Sequence, residues 1–483
     1  MRPFVSLRTE PRPSGSGPLK TDPRPSGSGQ PPSLAPVLRG AFATTIVTGL
    51  AIFALPALAG QKGLNTDALW PQWRGPLATG IAPRGNPPLT WSETNNIRWK
   101  VPLPGLGHST PVVWGDHIFL TAAVQHGDEL EPVPEWDPDA HDNFPTKYRR
   151  KFVVLAIDRR DGSTLWQRVV RDEHPHEGTH VTGSWASNSP ITDGDHLFAY
   201  FGSRGLYCLD LKGNLLWERD FGDMKTRHGH GEGSSPALHG ETLVINWDHQ
   251  ADSFVIALDK RTGNTRWKVA RDEITSWSTP LIVQHDGKHQ VIIAATKRVR
   301  GYDLATGELI WECAGLSRNV VASPVEADGI VYVANSYDWQ AMLAIRLSAA
   351  KGDITDTGAV VWSRDRHTPY VPSPLLYDNR LYFLKHSQGF LTCVNAGTGE
   401  SLYGRKRLRG IDNVFASPVG AANRIYITGR NGTTAVVRHG DQFELLATNK
   451  LDDTFSASPV IVGNDLLLRG EQSLYCITDT PTP

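Results

Sequence analysis

The stretch from Ser189 to Asp220 reads SPITDGDHLFAYFGSRGLYCLDLKGNLLWERD and contains one complete structural unit. Ser189-Pro190 opens a short apolar run, and a turn signal follows at residues 193–195. Further apolar runs occupy residues 196–201, 205–210 and 215–218, and Gly-containing segments separate them. Short apolar runs bounded by Gly and Asp are typical of antiparallel strands joined by tight turns. The stretch therefore predicts a four-stranded antiparallel sheet.

The Ser/Thr-Pro opening of this unit occurs eight times. It stands at Thr110, Ser189, Ser235, Thr279, Ser323, Ser373, Ser417 and Ser458, each followed by proline. From Ser189 onward the spacing is 41 to 50 residues, which is the length of a β-propeller blade. We therefore predict an all-β, eight-bladed propeller of four-stranded antiparallel blades over residues 97–483.

A second marker runs in phase with the first: a glycine stands four residues before an aromatic residue. The pairs are Gly162/Trp166, Gly213/Trp217, Gly263/Trp267, Gly307/Trp311, Gly358/Trp362 and Gly399/Tyr403. Glycine tolerates the positive φ of a hairpin turn, and the aromatic residue then falls on the outer strand. We expect these rings to pack in the seams between neighbouring blades.

The two ends of the repeat region complement each other. The last unit, from Ser458, stops after its third strand at Ile477 and lacks an outer strand. Residues 97–101 resemble an outer strand that has no blade before it. The N-terminal strand should therefore complete the eighth blade and remove the open sheet edge.

The charge balance excludes a nucleic-acid binder. The 483 residues carry 49 Lys+Arg and 50 Asp+Glu, a formal net charge of −1, whereas nucleic-acid binding needs a basic face. We expect a monomer whose partner is an envelope protein or a small molecule.

The N-terminal region differs from the repeats. Residues 1–36 are rich in Pro, Ser, Gly and Arg and are expected to be disordered, and residues 60–96 are a lead-in segment. Residues 37–59 contain an apolar run that ends in Ala57-Leu58-Ala59, which predicts a cleaved secretory signal or an uncleaved N-terminal anchor. Both alternatives place the body of the protein in the periplasm or cell envelope, with membrane contact only through this segment.

A polar insertion, residues 125–151, lengthens the first repeat. It begins acidic and ends basic, and it predicts either a solvated excursion or a lid or docking loop.

Propeller geometry brings together the residues that precede each Ser/Thr-Pro, because these connections lie on one face beside the axis. An axial ligand pocket is therefore predicted from His108, Trp185, Asn188, Arg227, Trp277, Asn319 and Asn413. The two tryptophans have a second interpretation, in which they plug the axial channel.

The richest local cluster is Arg227-His228-Gly229-His230-Gly231-Glu232. In an extended strand His228, His230 and Glu232 would point to one side and could bind a divalent metal. A flexible, solvated loop is the alternative.

The Ser/Thr-Pro openings and closings such as Ala257-Leu258-Asp259-Lys260-Arg261-Thr262-Gly263-Asn264-Thr265-Arg266-Trp267 resemble the pyrroloquinoline-quinone-like (PQQ-like) repeat propellers. One branch of that family, the quinoprotein alcohol dehydrogenases, holds quinone and calcium on the axis. The other branch, the assembly-factor-like propellers of the bacterial envelope, has no cofactor.

The resemblance is nearer to the second branch. Cys208, Cys313, Cys393 and Cys476 are far apart, so the vicinal disulfide of the dehydrogenases has no counterpart, and the four thiols are expected to be buried. No motif matches the Glu-Asn-Asp calcium set, so no cofactor is firmly implied, although PQQ or a divalent metal stays possible. The sequence favours an exported binding or scaffold module, and the alternative is a quinone- or metal-dependent oxidoreductase.

Overall fold

Eight small antiparallel sheets form a propeller, as the repeats predict. The computed structural model describes residues 69–385 and 389–479. The predictions for residues 1–36 and 37–59 therefore lie outside the described residues. Within the described ranges, no helix has both the length and the apolar character needed to cross a membrane.

The first four blades follow the order of the chain. Before them lie β1 (Leu69–Trp70) and β2 (Ile97–Pro102). Blade 1 and its surroundings contain β3 (Val112–Trp114), β4 (His117–His126), β5 (Asn143–Phe144), β6 (Arg149–Asp158), β7 (Thr164–Glu173) and β8 (Thr179–His180). Blade 2 contains β9 (Ile191–Thr192), β10 (His196–Tyr200), β11 (Leu206–Asp210) and β12 (Leu215–Arg219). Blade 3 contains β13 (Ala237–His239), β14 (Thr242–Trp247), β15 (Phe254–Asp259) and β16 (Thr265–Ala270). Blade 4 contains β17 (Leu281–His285), β18 (Lys288–Ile293), β19 (Val299–Asp303) and β20 (Leu309–Cys313).

The last four blades repeat the pattern with one additional short strand. Blade 5 contains β21 (Val325–Ala327), β22 (Ile330–Asn335), β23 (Ala341–Arg346) and β25 (Val360–Arg364), and β24 (Gly352–Asp353) lies between the last two in sequence. Blade 6 contains β26 (Leu375–Tyr377), β27 (Arg380–Leu384), β28 (Phe390–Asn395) and β29 (Ser401–Arg407). Blade 7 contains β30 (Val419–Ala421), β31 (Arg424–Thr428), β32 (Thr433–Arg438) and β33 (Leu445–Lys450). Blade 8 contains β34 (Val460–Val462), β35 (Asp465–Arg469) and β36 (Ser473–Ile477).

The ring closes as the two chain ends predict. Strand β2 pairs antiparallel with β36, with Trp99 opposite Cys476 and Val101 opposite Leu474. Blade 8 thereby gains its fourth strand, and no sheet edge is left open at the junction of the chain ends.

The lead-in packs onto the ring of blades. Strand β1 pairs with β3, with Leu69 opposite Trp114, and adds a fifth strand to blade 1. Further on, Trp91 is buried and stacks on Tyr426 of blade 7, with ring centroids 6.3 Å apart. The lead-in thus covers blade 7, in which Glu444 rather than an aromatic residue stands four residues after Gly440.

The tryptophans on the outer strands bridge neighbouring blades. The indole N–H donates to a backbone carbonyl of the next blade at 2.8–3.0 Å, in the pairs Trp99–Arg159, Trp166–Leu211, Trp217–Lys260, Trp267–Leu304 and Trp362–Ala396. Each of these indoles also lies against the turn glycine of that blade, as Trp267 does against Gly307. The structure confirms the predicted seam contacts at these positions.

Trp311 is an exception to this pattern. Its indole is fully buried, lies against Gly301 of its own blade and donates to Gln290 Oε1 at 2.9 Å. Strand β24 pairs in parallel with β20 beside it and occupies the outer edge of blade 4. Trp311 still packs between blades 4 and 5, in one apolar cluster with Val331 and Ile354, but its indole N–H bonds within its own blade and not to the turn of the next one.

Candidate functional site

A cavity of about 460 Å³ lies on the propeller axis, on the face predicted from the connections between blades. Every blade contributes to its wall, and the insertion contributes His141. Its volume lies in the range of small-molecule sites.

A closed ring of eight Ser and Thr hydroxyl groups links the blades, and six of its members line the cavity. The hydroxyl of each Ser/Thr-Pro accepts a hydrogen bond from the backbone N–H of the equivalent Ser or Thr one blade earlier, at 2.9–3.1 Å. Ser458 N–H donates to Thr110 Oγ1 and closes the circle. This ring explains why Ser or Thr begins every repeat, since each hydroxyl satisfies a buried amide of its neighbour.

One lead-in residue lines the cavity, and a second is buried next to it. Trp73 lines the cavity, and its indole N–H lies 3.4 Å from Ser458 Oγ. Arg74 is buried beside it and donates to the carbonyl oxygens of Pro374 and Pro418, both at 3.0 Å. Burial lowers the pKa of Arg74 to about 9. The lead-in therefore holds blades 6 and 7 together through Arg74.

The two sides of the wall differ in chemistry. Blades 1 to 3 and the insertion supply His108, His141, His180 and His230, together with Glu232. Blades 4 to 7 supply Trp277, Val321, Tyr337, Tyr370, Val371 and Phe415. The cavity therefore offers hydrogen-bonding imidazoles on one side and flat apolar rings on the other.

The insertion packs against the histidine side of the cavity. Strands β4 and β6 extend its base to the pair His126–Arg149, and the remaining loop, residues 127–148, is called the insertion loop below. Its Trp136 donates to Glu177 Oε2 at 2.8 Å, and its Asp137 accepts from His228 N–H at 2.7 Å. Strands β5 and β8 add a short antiparallel ladder. The insertion loop thus contacts the propeller body, while most of its residues are exposed.

Docking of the insertion loop creates a cluster of four imidazoles. Ring centroids lie 4.7 Å apart for His141 and His228, 5.1 Å for His141 and His230, and 4.6 Å for His180 and His230. Burial lowers the pKa of His230 to about 4, and its imidazole neighbours add to the effect. Burial also lowers the pKa values of His180 and His228, so these rings are uncharged at neutral pH.

With the site in place, comparison with known proteins shows what the chain resembles. Three overlapping stretches, residues 84–224, 150–402 and 251–480, match the PQQ-repeat family described as outer membrane protein assembly factor BamB. The chain belongs to this family.

Relatives come from both branches of PQQ-repeat propellers. Outer membrane protein assembly factor BamB of Yersinia pestis is 23% identical over 299 residues, which cover 59% of this chain and 66% of that protein. Subunit 1 of methanol dehydrogenase [cytochrome c] from Methylorubrum extorquens is 39% identical over 118 residues, 23% of this chain and 16% of that subunit. The chain thus spans less than two thirds of the length of these curated relatives.

A solved structure has the same fold. Quinohemoprotein alcohol dehydrogenase from Comamonas testosteroni aligns with a TM-score of 0.58 at 10% identity, over 89% of this chain and 84% of that one. At this identity the likeness shows the propeller fold alone.

The donor groups at the axial cavity do not fit PQQ with calcium. PQQ carries three carboxylates, which need cationic partners, and none of the described residues that line the cavity is Lys or Arg. Calcium needs six to eight oxygen ligands, and the described residues contain no group of three His, Cys, Asp or Glu suited to hold a metal ion. The four cysteines are free and buried, as predicted.

The predicted metal set His228, His230 and Glu232 is corrected by this geometry. Residues Arg227–Gly229 form a 3-10 turn in which His228 has φ +57°, so the segment is not extended and alternation does not apply. Glu232 instead forms an ion pair with Arg204 at 2.8 Å and accepts from Ser203 N–H at 2.6 Å.

The predicted pocket residues divide into two groups. His108, Trp277 and Asn319 line the cavity. Trp185, Asn188, Arg227 and Asn413 are not among its lining residues.

Each residue of the second group has another position. Trp185 is buried, donates to Glu177 O and lies 3.7 Å beneath the Arg150 guanidinium, so it neither stacks a ligand nor plugs the axis. Asn188 donates to Ser234 O and thereby links blades 2 and 3. Arg227 donates to the His228 ring, and Asn413 is exposed.

For three of the contributors that sequence reasoning missed, the reason can be identified. Tyr337 lies on a connection between the second and third strands of a blade, and these connections reach the same face as those that were considered. Phe415 lies two residues after Asn413 in the chosen connection. Trp73 belongs to the lead-in, and no repeat position marks it.

Proposed function

We propose that the protein is an exported binding module of the cell envelope and that its axial cavity binds a small, uncharged, polar ligand. The observation that carries the proposal is a pair of polar atoms on the cavity wall, Asn319 Oδ1 and His108 Nε2. Both are buried, and neither has a hydrogen-bond partner among the described residues. Unsatisfied buried polar groups cost stability unless a ligand or water pairs with them.

Asn319 is held in place by its surroundings. It is 3% exposed and adopts φ +58°, a conformation that asparagine tolerates better than most residues. Asn335 fixes the preceding backbone by donating to Ser317 O at 2.9 Å, and Trp277 N–H donates to Val320 O at 2.8 Å on the other side. The backbone on both sides of Asn319 is therefore held in place, and Asn319 lines the cavity.

His108 occupies the connection that enters blade 1, opposite blade 5 in a ring of eight. Its backbone N–H donates to Ala186 O at 3.0 Å, and Nε2 lies 3.6 Å from Glu471 Oε1, beyond hydrogen-bonding distance. Burial lowers the pKa of His108, which favours the uncharged imidazole. A ligand that meets both His108 and Asn319 must present hydrogen-bonding groups at two opposite edges.

The remaining wall favours an uncharged ligand with a flat ring. Trp73 and Tyr370 supply aromatic surface, and the indole of Trp277 is fixed by donation to Gly231 O at 2.7 Å. The carboxylate of Glu232 is neutralised by Arg204. A charged ligand would lose its hydration without gaining an opposite charge.

The methanol dehydrogenase relatives favour a second candidate, oxidation of an alcohol with a bound quinone. That similarity covers 23% of this chain. The first candidate is preferred because the donor set of the cavity lacks the cations that a tricarboxylate requires.

A thermal-shift screen of uncharged heteroaromatic fragments tests the proposal, with each hit measured again by calorimetry. Asn319→Gly removes the amide and suits the positive φ, so it should weaken a hit about tenfold, equivalent to about 1.4 kcal/mol. Asn379→Gly is the matched control, since Asn379 has φ +58° and does not line the cavity. Equal affinities for both variants would reject the axial site. Methanol-dependent dye reduction after incubation with PQQ and Ca²⁺ would establish the second candidate instead.

A further inference from the structure

Three imidazoles, those of His141, His180 and His230, line the axial cavity, and their hydrogen bonds to the protein determine which ring nitrogen carries the proton. We infer that these rings bind one edge of the ligand and that this edge carries an amino group, a ring N–H and a carbonyl group in that order. The inference rests on the proposed binding function of the axial cavity and names the class of its ligand, a 2-amino-lactam heterocycle of the kind present in guanine.

Two of the three imidazoles offer a hydrogen-bond acceptor. His141 Nδ1 lies 2.8 Å from the carbonyl oxygen of Asp139, and His230 Nε2 lies 3.2 Å from the carbonyl oxygen of His141. A carbonyl oxygen only accepts, so these two nitrogens carry the proton, and the other nitrogen of a neutral imidazole is then an acceptor. The two acceptors are His141 Nε2 and His230 Nδ1, and no residue in the described part of the chain donates to either of them.

The third imidazole offers a donor. The backbone N–H of Thr182 donates to His180 Nδ1 at 3.1 Å. Because a backbone N–H cannot accept, His180 Nδ1 holds a lone pair, and the proton of the neutral ring is on Nε2. Thr182 Oγ1 lies 2.8 Å from the same nitrogen and can donate to it. His180 therefore has Nε2–H available for a carbonyl oxygen of the ligand.

Burial keeps His180 and His230 in these states. It lowers the pKa of His230 to about 4 and also lowers the pKa of His180, so both rings are uncharged at neutral pH. His228, the fourth imidazole of the cluster, has both nitrogens occupied, since Nδ1 bonds to the carbonyl oxygen of Asp139 at 3.1 Å and Nε2 accepts from Arg227 Nε at 3.0 Å. Three rings of the cluster are therefore left to bind a ligand.

The order of these three rings sets the order of the groups on the ligand. His230 lies between the other two, with its ring centroid 5.1 Å from that of His141 and 4.6 Å from that of His180. The wall therefore presents acceptor, acceptor and donor, and a complementary edge presents donor, donor and acceptor. An amino group has two protons and a carbonyl oxygen has two lone pairs, so both can reach partners at this separation.

The rest of the axial cavity suits such a heterocycle. A 2-amino-lactam is flat and uncharged at neutral pH, which agrees with the aromatic side of the wall and with a described lining that contains no Lys or Arg. The volume of about 460 Å³ is sufficient for a bicyclic ring. Asn319 Oδ1, buried and without a partner among the described residues, would accept from an N–H at another edge of the ring.

Ligand-observed NMR titration of the full chain with four purines tests the inference. Guanine carries the whole edge, hypoxanthine lacks the amino group, 1-methylguanine lacks the ring N–H, and adenine lacks both the lactam N–H and the carbonyl. Guanine should bind about tenfold more tightly than each of the other three, because each change leaves an imidazole nitrogen without its partner. This comparison uses the wild-type protein and does not depend on the folding of a variant.

His180→Phe keeps an aromatic ring and removes the donor to the carbonyl group. It should weaken guanine binding about tenfold and reduce the preference for guanine over adenine. His176→Phe is the matched control, because His176 belongs to the same segment, is partly buried and bonds to the carbonyl oxygen of Met224, but does not line the cavity. It should leave guanine affinity within about twofold of wild type.

Three results would overturn the inference. Equal binding of the four purines, weakened together in Asn319→Gly, would retain the axial site and reject the order of groups on the edge. Equal losses of guanine affinity in His180→Phe and His176→Phe would reject the contact with His180. Binding of other heteroaromatic fragments in an Asn319-dependent manner, without binding of guanine, would reject this ligand class alone, whereas no binding of any fragment would reject the axial cavity as a ligand site.

Discussion

The contact between Trp267 and Gly307 gives a quantitative test of the blade seams. A Cβ placed on Gly307 would lie 2.7 Å from Trp267 Cδ2 and Cε3, well inside ordinary contact distance. Gly307 has φ +77°, so Gly307→Ala also incurs the cost of a positive φ, about 1–2 kcal/mol. Overpacking adds about 1–3 kcal/mol. The total loss in the free energy of unfolding should be about 2–5 kcal/mol.

Gly287→Ala separates the two contributions. Gly287 has φ +72°, and no atom lies within 4 Å of its added Cβ, so this variant should lose only about 1–2 kcal/mol. Trp267→Ala alone should cost about 3–5 kcal/mol through cavity formation. In that background Gly307→Ala should cost no more than Gly287→Ala, because the indole is gone.

Urea unfolding, followed by circular dichroism and fluorescence at one pH, measures all of these free energies. Equal losses in Gly307→Ala and Gly287→Ala would refute the seam contact. So would a cost of Gly307→Ala that does not change when Trp267 is alanine.

Three further predictions concern the hydroxyl ring and the insertion. Ser235→Ala should lower the free energy of unfolding in urea by about 1–3 kcal/mol, because Ser189 N–H loses its buried acceptor. The control Ser163→Ala, at an exposed serine, should change it by less than about 0.5 kcal/mol. Similar losses in the two variants would argue against the hydroxyl ring. The pKa of His230 is lowered to about 4, so between about pH 7 and pH 4 the unfolded chain binds more protons than the folded one, and stability should fall as the pH drops. His230→Asn should flatten this pH dependence of stability. An unchanged pH profile in the variant would contradict the role of His230. The opposite sign holds for Glu177, because burial raises its pKa to about 7, so stability should fall as pH rises from about 4.5 to 7. The stability of Glu177→Gln relative to wild type should therefore be higher at pH 8 than at pH 5. A stability difference that is the same at both pH values would exclude this titration.

The number of blades and their strand order could be predicted from the sequence because every blade makes the same contacts with its neighbours. The Ser/Thr at the start of a blade satisfies an amide of its neighbour in all eight blades, and an outer tryptophan packs on the turn of the next blade in five of them, so both markers recur along the sequence. Trp311 does not contact the turn of the next blade, because β24, which has no repeat signature, pairs with β20 beside it. Pattern alone cannot show that a loop from the next blade will intervene.

The candidate site was less accessible to sequence reasoning because it depends on side-chain direction. His228 and Glu232 are close in sequence, but the left-handed turn at His228 separates their roles, and Glu232 pairs with Arg204 of another blade. Conversely, His141 reaches the cavity only because the insertion loop docks. The insertion loop contacts His228, about 90 positions away in sequence, through Asp137 and Asp139, and no local pattern encodes these contacts.

The contacts of the lead-in and of β2 with the last blades determine when the ring can close during biosynthesis. Arg74 contacts carbonyls 300 and 344 residues later, and β2 finds its neighbour only when β36 has emerged. The earliest part of the described chain must therefore wait for the latest, and contacts of such long sequence separation form slowly. Until then the final blade of the nascent protein is incomplete. In assembly of this ring, strand β2 is synthesised before the blades and pairs only after the last of them is complete.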